Sequence, residues 1–178
     1  MKRQNGLFWI SILIVALFIS ACDTGPKLHA EVFSSIKGGF EYQIPVDYEQ
    51  EENYGFVQIL APGADTDTGP VYMLMGGTNE GTVTIEDLQT QMEENWDFDE
   101  YTKPKNTKIG GYPGLQTDFS VDDSGTLIEG RIIIVLVSPT QQFVMLGGAT
   151  PELWKDEVKV FTKILGSIKF FKLNLDVE

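Results

Sequence analysis

The sequence predicts an α+β domain, an antiparallel β-sheet flanked by helices, behind a cleaved export leader. Three observations carry this. Short segments alternate apolar and polar residues at the two-residue period of half-buried strands, two longer segments carry apolar stripes at the helical period, and the chain opens on a basic, then apolar, then small-residue run. At 178 residues, 42% apolar and 11% aromatic, the chain is long enough for one domain with a real core. Its acidity does not signal disorder.

The leader comes first. Lys2 and Arg3 precede the apolar run Leu7 to Phe18, which ends in Ile19-Ser20-Ala21-Cys22. That order is a secretory signal peptide, and the run is too short for a good membrane span, which needs about 20 apolar residues. Ile-Ser-Ala-Cys resembles the lipobox of bacterial lipoproteins, in which the cysteine takes a diacylglyceryl group and becomes the new N-terminus. The resemblance implies a signal peptide over residues 1–21 and lipidation at Cys22, the only thiol in the chain. Two acyl chains anchor stably where one is marginal. Asp23 resembles the residue that retains lipoproteins in the inner membrane of diderm bacteria. Residues 22–30 read as the lipidated cysteine and a polar tether with the lone His29. At most about 3.5 Å per residue, the tether would hold the domain within roughly 28 Å of the bilayer.

The domain itself is expected over 31–172. Phe40, Tyr42 and Ile44 alternate with Glu41 and Gln43, and Pro45 closes that strand. Further strands are expected at Phe56 to Leu60, Val71 to Met75, Leu115 to Val121, Gly130 to Ser138 and Gln142 to Gly147. The run Ile132 to Val137 has no polar side and is placed centrally, covered on both faces. Turn chemistry at Asp122-Asp123-Ser124-Gly125 and Ser138-Pro139-Thr140-Gln141 makes residues 115–147 a three-stranded meander.

A first helix is expected over Ile85 to Asn95 behind the cap Thr84 and the third-position acid Asp87, with Ile85, Leu88, Met92 and Trp96 as its apolar stripe. A second begins at Thr150-Pro151 and runs to Leu165 before Gly166, with Trp154, Val158, Phe161, Leu165 and Ile168 on one face. Ser167 to Lys172 reads as a last strand, and 173–178 as a C-terminal tail. Tyr72 to Thr78 and Phe143 to Thr150 echo one another as strand, glycine pair and helix start. The glycines could let backbone approach a ligand or permit the turn and close packing of helix on strand, and since neither echo has phosphate-loop spacing the turn is expected.

Several segments together resemble the fold shared by the photosystem protein PsbP and the Ran-binding Mog protein. They are Phe40-Glu41-Tyr42-Gln43-Ile44-Pro45 with Asp47-Tyr48, Ile109-Gly110-Gly111-Tyr112-Pro113-Gly114 before a strand, Phe143 to Leu146 leading to Trp154, and Phe161 to Ile164 with Ser167-Ile168-Lys169-Phe170. The similarity spans about Val32 to Phe171. Where related sequences place Gly-Trp after the first proline, this chain has Asp47-Tyr48. The resemblance implies an α/β/α sandwich of the Mog/PsbP type, without catalytic activity or cofactor, used as a binding or assembly module.

The residues themselves exclude several classes. A net charge of -13 argues against nucleic acid, whose phosphates require lysine and arginine clusters. One Cys and one His cannot make a disulfide scaffold or a zinc site, and a triad would have to depend on His29. The alternative reading is a small-ligand or Ca²⁺-binding lipoprotein, with Asp65, Asp67, Asp97 and Asp99 as the candidate oxygen donors. A carboxylate-based hydrolase is a third.

Charge is divided unevenly. Residues 23–101 hold 17 acids and 2 bases, whereas residues 102–178 hold 9 of each. Glu86, Glu93, Glu94, Asp97, Asp99 and Glu100 form the expected partner face, suited to a protein with a basic surface. An anionic bilayer repels such a face, so the first helix is expected to point away from the membrane; the alternative is a charge that serves solubility alone. The expectation is a domain on the extracytoplasmic face of the cell membrane, held there by its lipid and assisting another envelope or membrane protein.

Overall fold

A computed structural model describes residues 25–64, 69–95 and 98–173. The elements in chain order are β1 (Phe33–Ser35), β2 (Phe40–Tyr42), β3 (Glu49–Asn53), β4 (Phe56–Leu60), β5 (Val71–Thr78), α1 (Ile85–Asn95), β6 (Glu100–Tyr101), β7 (Lys105–Ile109), β8 (Tyr112–Asp123), β9 (Thr126–Ser138), β10 (Gln141–Ala149), α2 (Pro151–Ser167) and β11 (Lys169–Phe170). The leader, Cys22, Trp96 and the last five residues of the tail lie outside the described residues.

Eight strands form one antiparallel sheet in the order β3-β4-β5-β10-β9-β8-β6, with β7 also paired to β8. The expected meander is present as β8, β9 and β10. Its first hairpin turns at Ser124 and Gly125, both left-handed (φ 53° and 91°), the backbone that suits the twist of a two-residue connection. The apolar run of β9 has helices on both sides. Ile133, Val135 and Val137 pack with Trp154, Phe161, Ile164 and Leu165 of α2. Ile132 and Ile134 pack instead with Leu88 and Met92 of α1. Alternation along one strand therefore supplies two cores, one on each face.

The two faces are covered differently. The α2 side also carries a small sheet, β1-β2-β11, whose Phe40 and Tyr42 join the main core. The expected last strand over 167–172 is only Lys169–Phe170, paired with β2. Helix α2 passes through Gly166 to Ser167, whose hydroxyl donates to Ile164 O at 2.6 Å and accepts from Gln43 N at 2.9 Å.

Strands β1, β3, β6 and β7 were not anticipated. β3 reads Glu-Gln-Glu-Glu-Asn and β7 Lys-Asn-Thr-Lys-Ile, and both lie at sheet edges, where charged side chains deter pairing with other chains. Such strands have no apolar alternation to read. The glycine pairs sit inside strands and not at the expected turns, while the expected close packing of helix on strand holds at Gly147. β5 and β10 are neighbours, so the echoing segments pair antiparallel, Phe143 against Gly76 and Gly147 against Tyr72. A Cβ on Gly147 would press on the rings of Phe161 and Tyr72, and one on Gly76 would run into the Gly38 carbonyl. Close packing of helix and loop on strand, not a turn, requires glycine there.

Residues placed in the tether are partly docked. His29 N donates to Ile44 O at 2.8 Å, Val46 N to Lys27 O at 3.0 Å, and Lys163 Nζ of α2 to Pro26 O at 3.0 Å. His29 also sets its ring edge-on to Phe33.

Candidate functional site

Helix α1 presents the acids singled out in the sequence. It is started by a reciprocal cap in which Asp87 N donates to Thr84 Oγ1 at 3.2 Å and Thr84 N donates to Asp87 Oδ2 at 2.9 Å. These bonds from Thr84 hold the Asp87 carboxyl below the usual carboxylate range. Leu88 and Met92 are buried against the sheet, which turns Glu86, Glu93 and Glu94 to solvent. Asp99 and Glu100 are exposed where the chain enters β6.

Asp99 is tied to the β8–β9 hairpin, its Oδ2 accepting from Asp122 N at 2.6 Å. Asp122 in turn accepts from Gly125 N at 2.6 Å. The acidic edge thus includes Asp122 and Asp123, which the sequence marks only as turn residues. Among the described residues no group of three or more His, Cys, Asp or Glu side chains is arranged to hold a metal ion. Asp65, Asp67 and Asp97 lie outside the described residues.

Beside this edge lies an apolar crevice of about 290 Å³ on the α1 face of the sheet. Met73, Leu146, Ile128 and Val121 line its floor, Phe98 stands at its side, and Asp123 is at its rim. Phe98 stacks on Phe119 with centroids 4.2 Å apart and planes 11° from parallel. Gly69 and Gly148 complete its lining. No periodic motif announces this crevice. The one sequence signal for it is the length of α1, too short to cover an eight-stranded sheet.

On the opposite face a polar knot joins α2 to the sheet. Tyr48 OH donates to Glu157 Oε2 at 2.9 Å, and Tyr72 OH donates to the same oxygen. Burial, then the Glu157 bond, raises the ionisation of both phenols well above the ordinary tyrosine range. Tyr42, fully buried beside Glu52, is raised too, first by burial and then by that negative charge. Its hydroxyl donates to Gln50 at 2.7 Å. Near the β6 edge, Arg131 and Asp118 form an ion pair at 2.6 Å. Among the described residues no helix is long and apolar enough to cross a membrane.

This architecture, a mostly antiparallel sheet with a helix on each face, is PsbP-like. No family model and no curated protein matches the chain. Among solved structures it is similar to LpqN of Mycobacterium tuberculosis, a protein involved in cell envelope biogenesis (TM-score 0.62, 12% identity, covering 75% of this chain and 83% of that one). It is also similar to the cyanobacterial PsbP, CyanoP, of Synechocystis (TM-score 0.53, 13% identity, 85% and 98% covered). A third is PA94 of Pseudomonas aeruginosa, a protein of unknown function (TM-score 0.53, 12% identity, 78% and 95% covered). At these identities the likeness is one of fold.

Proposed function

We propose that the protein is a lipid-anchored, non-catalytic binding or assembly module on the outer face of the cell membrane, engaging an envelope or membrane protein through its acidic face. The observation that carries this is the opposition of two features across the sheet. The N-terminal segment is held on the α2 side by the bond from Lys163 to Pro26, while the exposed acids of α1 lie on the other side. From Cys22 to the docked Pro26 the chain spans at most about 14 Å. A short tether on one face leaves the acidic face turned away from anionic headgroups, which repel α1, with four acids and no base, more than α2, whose three acids are matched by three lysines. The fold shared with the envelope protein LpqN is in keeping with such a role.

Two measurements test the reading. Metabolic labelling with a fatty acid should mark the wild-type chain, and label persisting in Cys22→Ala would remove the anchor from it. Crosslinking in cells should recover a partner with a basic surface, and the complex should be lost when Glu93, Glu94, Asp97 and Asp99 are neutralised together. A complex indifferent to those changes would end the electrostatic mechanism.

A further inference from the structure

The sheet is wider than its cover on one side. Seven strands in sequence across it, at about 4.8 Å each, span roughly 29 Å, and one helix with its side chains is about 10 Å across. The α2 face meets this demand with α2 and the three-stranded sheet together. Among the described residues the α1 face has only α1, whose buried residues pack on β8, β9 and β10. Among the described residues no helix covers β4 and β5 there.

Exposure shows the deficit directly. The β4 and β5 residues facing α2, Val57, Ile59, Tyr72 and Leu74, are 0% exposed. Of their neighbours facing the other way, Val71 at the crevice is buried, Phe56, Leu60 and Met73 are only half-buried, and Met75 is 38% exposed. A trough therefore runs along β5 between α1 and β3, and it ends in the crevice under Phe98. The crevice falls just below the roughly 300–1,000 Å³ of dedicated small-molecule pockets. That size suits one or two apolar side chains of a larger partner, the usual form of an anchoring pocket.

The flanks of the trough carry one sign of charge. Residues 49–60, 71–78 and 85–95 contain no Lys or Arg, and of their seven acids Glu52, paired with Val57, faces α2. Glu49 and Glu51 pair with Leu60 and Gln58, which places them on the trough side of β3. Asp123 marks the crevice end. An apolar floor containing two methionines adapts to varied apolar side chains, and acidic flanks select cations over anions.

We infer that this trough is the docking site of a cationic amphipathic helix of the partner protein, laid beside α1 as a second helix on that face with one apolar side chain seated in the crevice. The inference rests on the proposed binding role and specifies where and what that role binds. β5, with eight residues, is about 27 Å long, the length of about 18 helical residues.

The test uses the full chain in zwitterionic nanodiscs, labelled at methionine methyls, and two synthetic Lys/Leu peptides of about 18 residues with identical composition. One peptide is amphipathic, and the other has its leucines dispersed around the helix. The amphipathic peptide should shift the Met73 and Met75 methyl signals and leave Met145, buried on the opposite face, in place. It should bind about tenfold more tightly than its isomer, and Met73→Asn should remove about that factor, as loss of one anchoring contact does. Equal binding of both peptides with Met73 unmoved would overturn the trough while leaving the acidic-face reading standing. No binding of either peptide would overturn both. The wild-type methyl shifts decide between these outcomes even if Met73→Asn fails to fold.

Discussion

Tyr72 of β5 donates its hydroxyl to Glu157 of α2, and the two residues are 85 positions apart in the chain. Tyr72 is 0% exposed, and the neighbouring Tyr48 donates to the same carboxylate oxygen. One acidic side chain thus fixes α2 to the sheet and to the loop before β3.

Tyr72→Phe should destabilise the fold by about 1.5–3 kcal/mol, the range for a hydrogen bond to a charged group. Urea unfolding followed by tryptophan fluorescence reads it. Tyr48→Phe, at a partly exposed position, should cost less. Equal stability of Tyr72→Phe and wild type would show that the knot holds nothing.

The buried phenols set an alkaline limit. The folded-state ionisation of Tyr42 and Tyr72 lies above the ordinary value near 10. Their contribution is therefore fully present below about pH 10 and is lost as pH rises from there toward the folded values. Each such tyrosine steepens the loss by up to about 1.4 kcal/mol per pH unit. Phenolate absorbance should rise together with unfolding, and a smooth titration of these tyrosines in the folded protein would contradict this.

The cap of α1 governs the acidic face. Thr84→Ala should cost about 1 kcal/mol and increase amide exchange in the first turn of α1. Because Asp87 is held below the usual carboxylate range, its support is present above about pH 4 and disappears as pH falls through its lowered folded value. Circular dichroism of wild type and Asp87→Asn at falling pH should converge.

Glycine substitutions separate packing from conformation. Gly147→Ala drives a methyl into the rings of Phe161 and Tyr72 and should cost about 1–3 kcal/mol, as overpacking does. Gly125→Ala meets nothing within 4 Å and should cost only about 1 kcal/mol for its left-handed backbone. The reverse order would mean that the sheet gives way at Gly147 and not at the hairpin.

The meander from β8 to β10, both helices and the α1 cap were legible because each writes its own local pattern. Apolar residues recur at two or at about 3.6, and turns declare themselves through Asp, Gly and Pro. Ser35 was not legible as a buried residue, nor Gln141 as a clamp on the chain end, although Gln141 Nε2 donates to Phe171 O at 2.9 Å and its Oε1 accepts from Leu173 N at 3.2 Å. Each depends on what a distant segment brings to it. The acids of α1 were legible as a charged face, yet the crevice beside them was not. Phe98, Met73, Ile128 and Leu146 come from four separate stretches and meet only once β5, β10, β9 and β8 have aligned.

By itself the sequence determined the α+β class, the two helices with their inward faces, the central meander and the uneven division of charge. All of these follow from periodicity and composition within short windows, where local backbone preference and burial point the same way. Only the tertiary structure decided which strands are neighbours, why the echoing glycines must be glycines, and that α2 and the small sheet cover one face while α1 covers part of the other. Those facts depend on register between distant segments, and among the described residues one short helix faces an eight-stranded sheet.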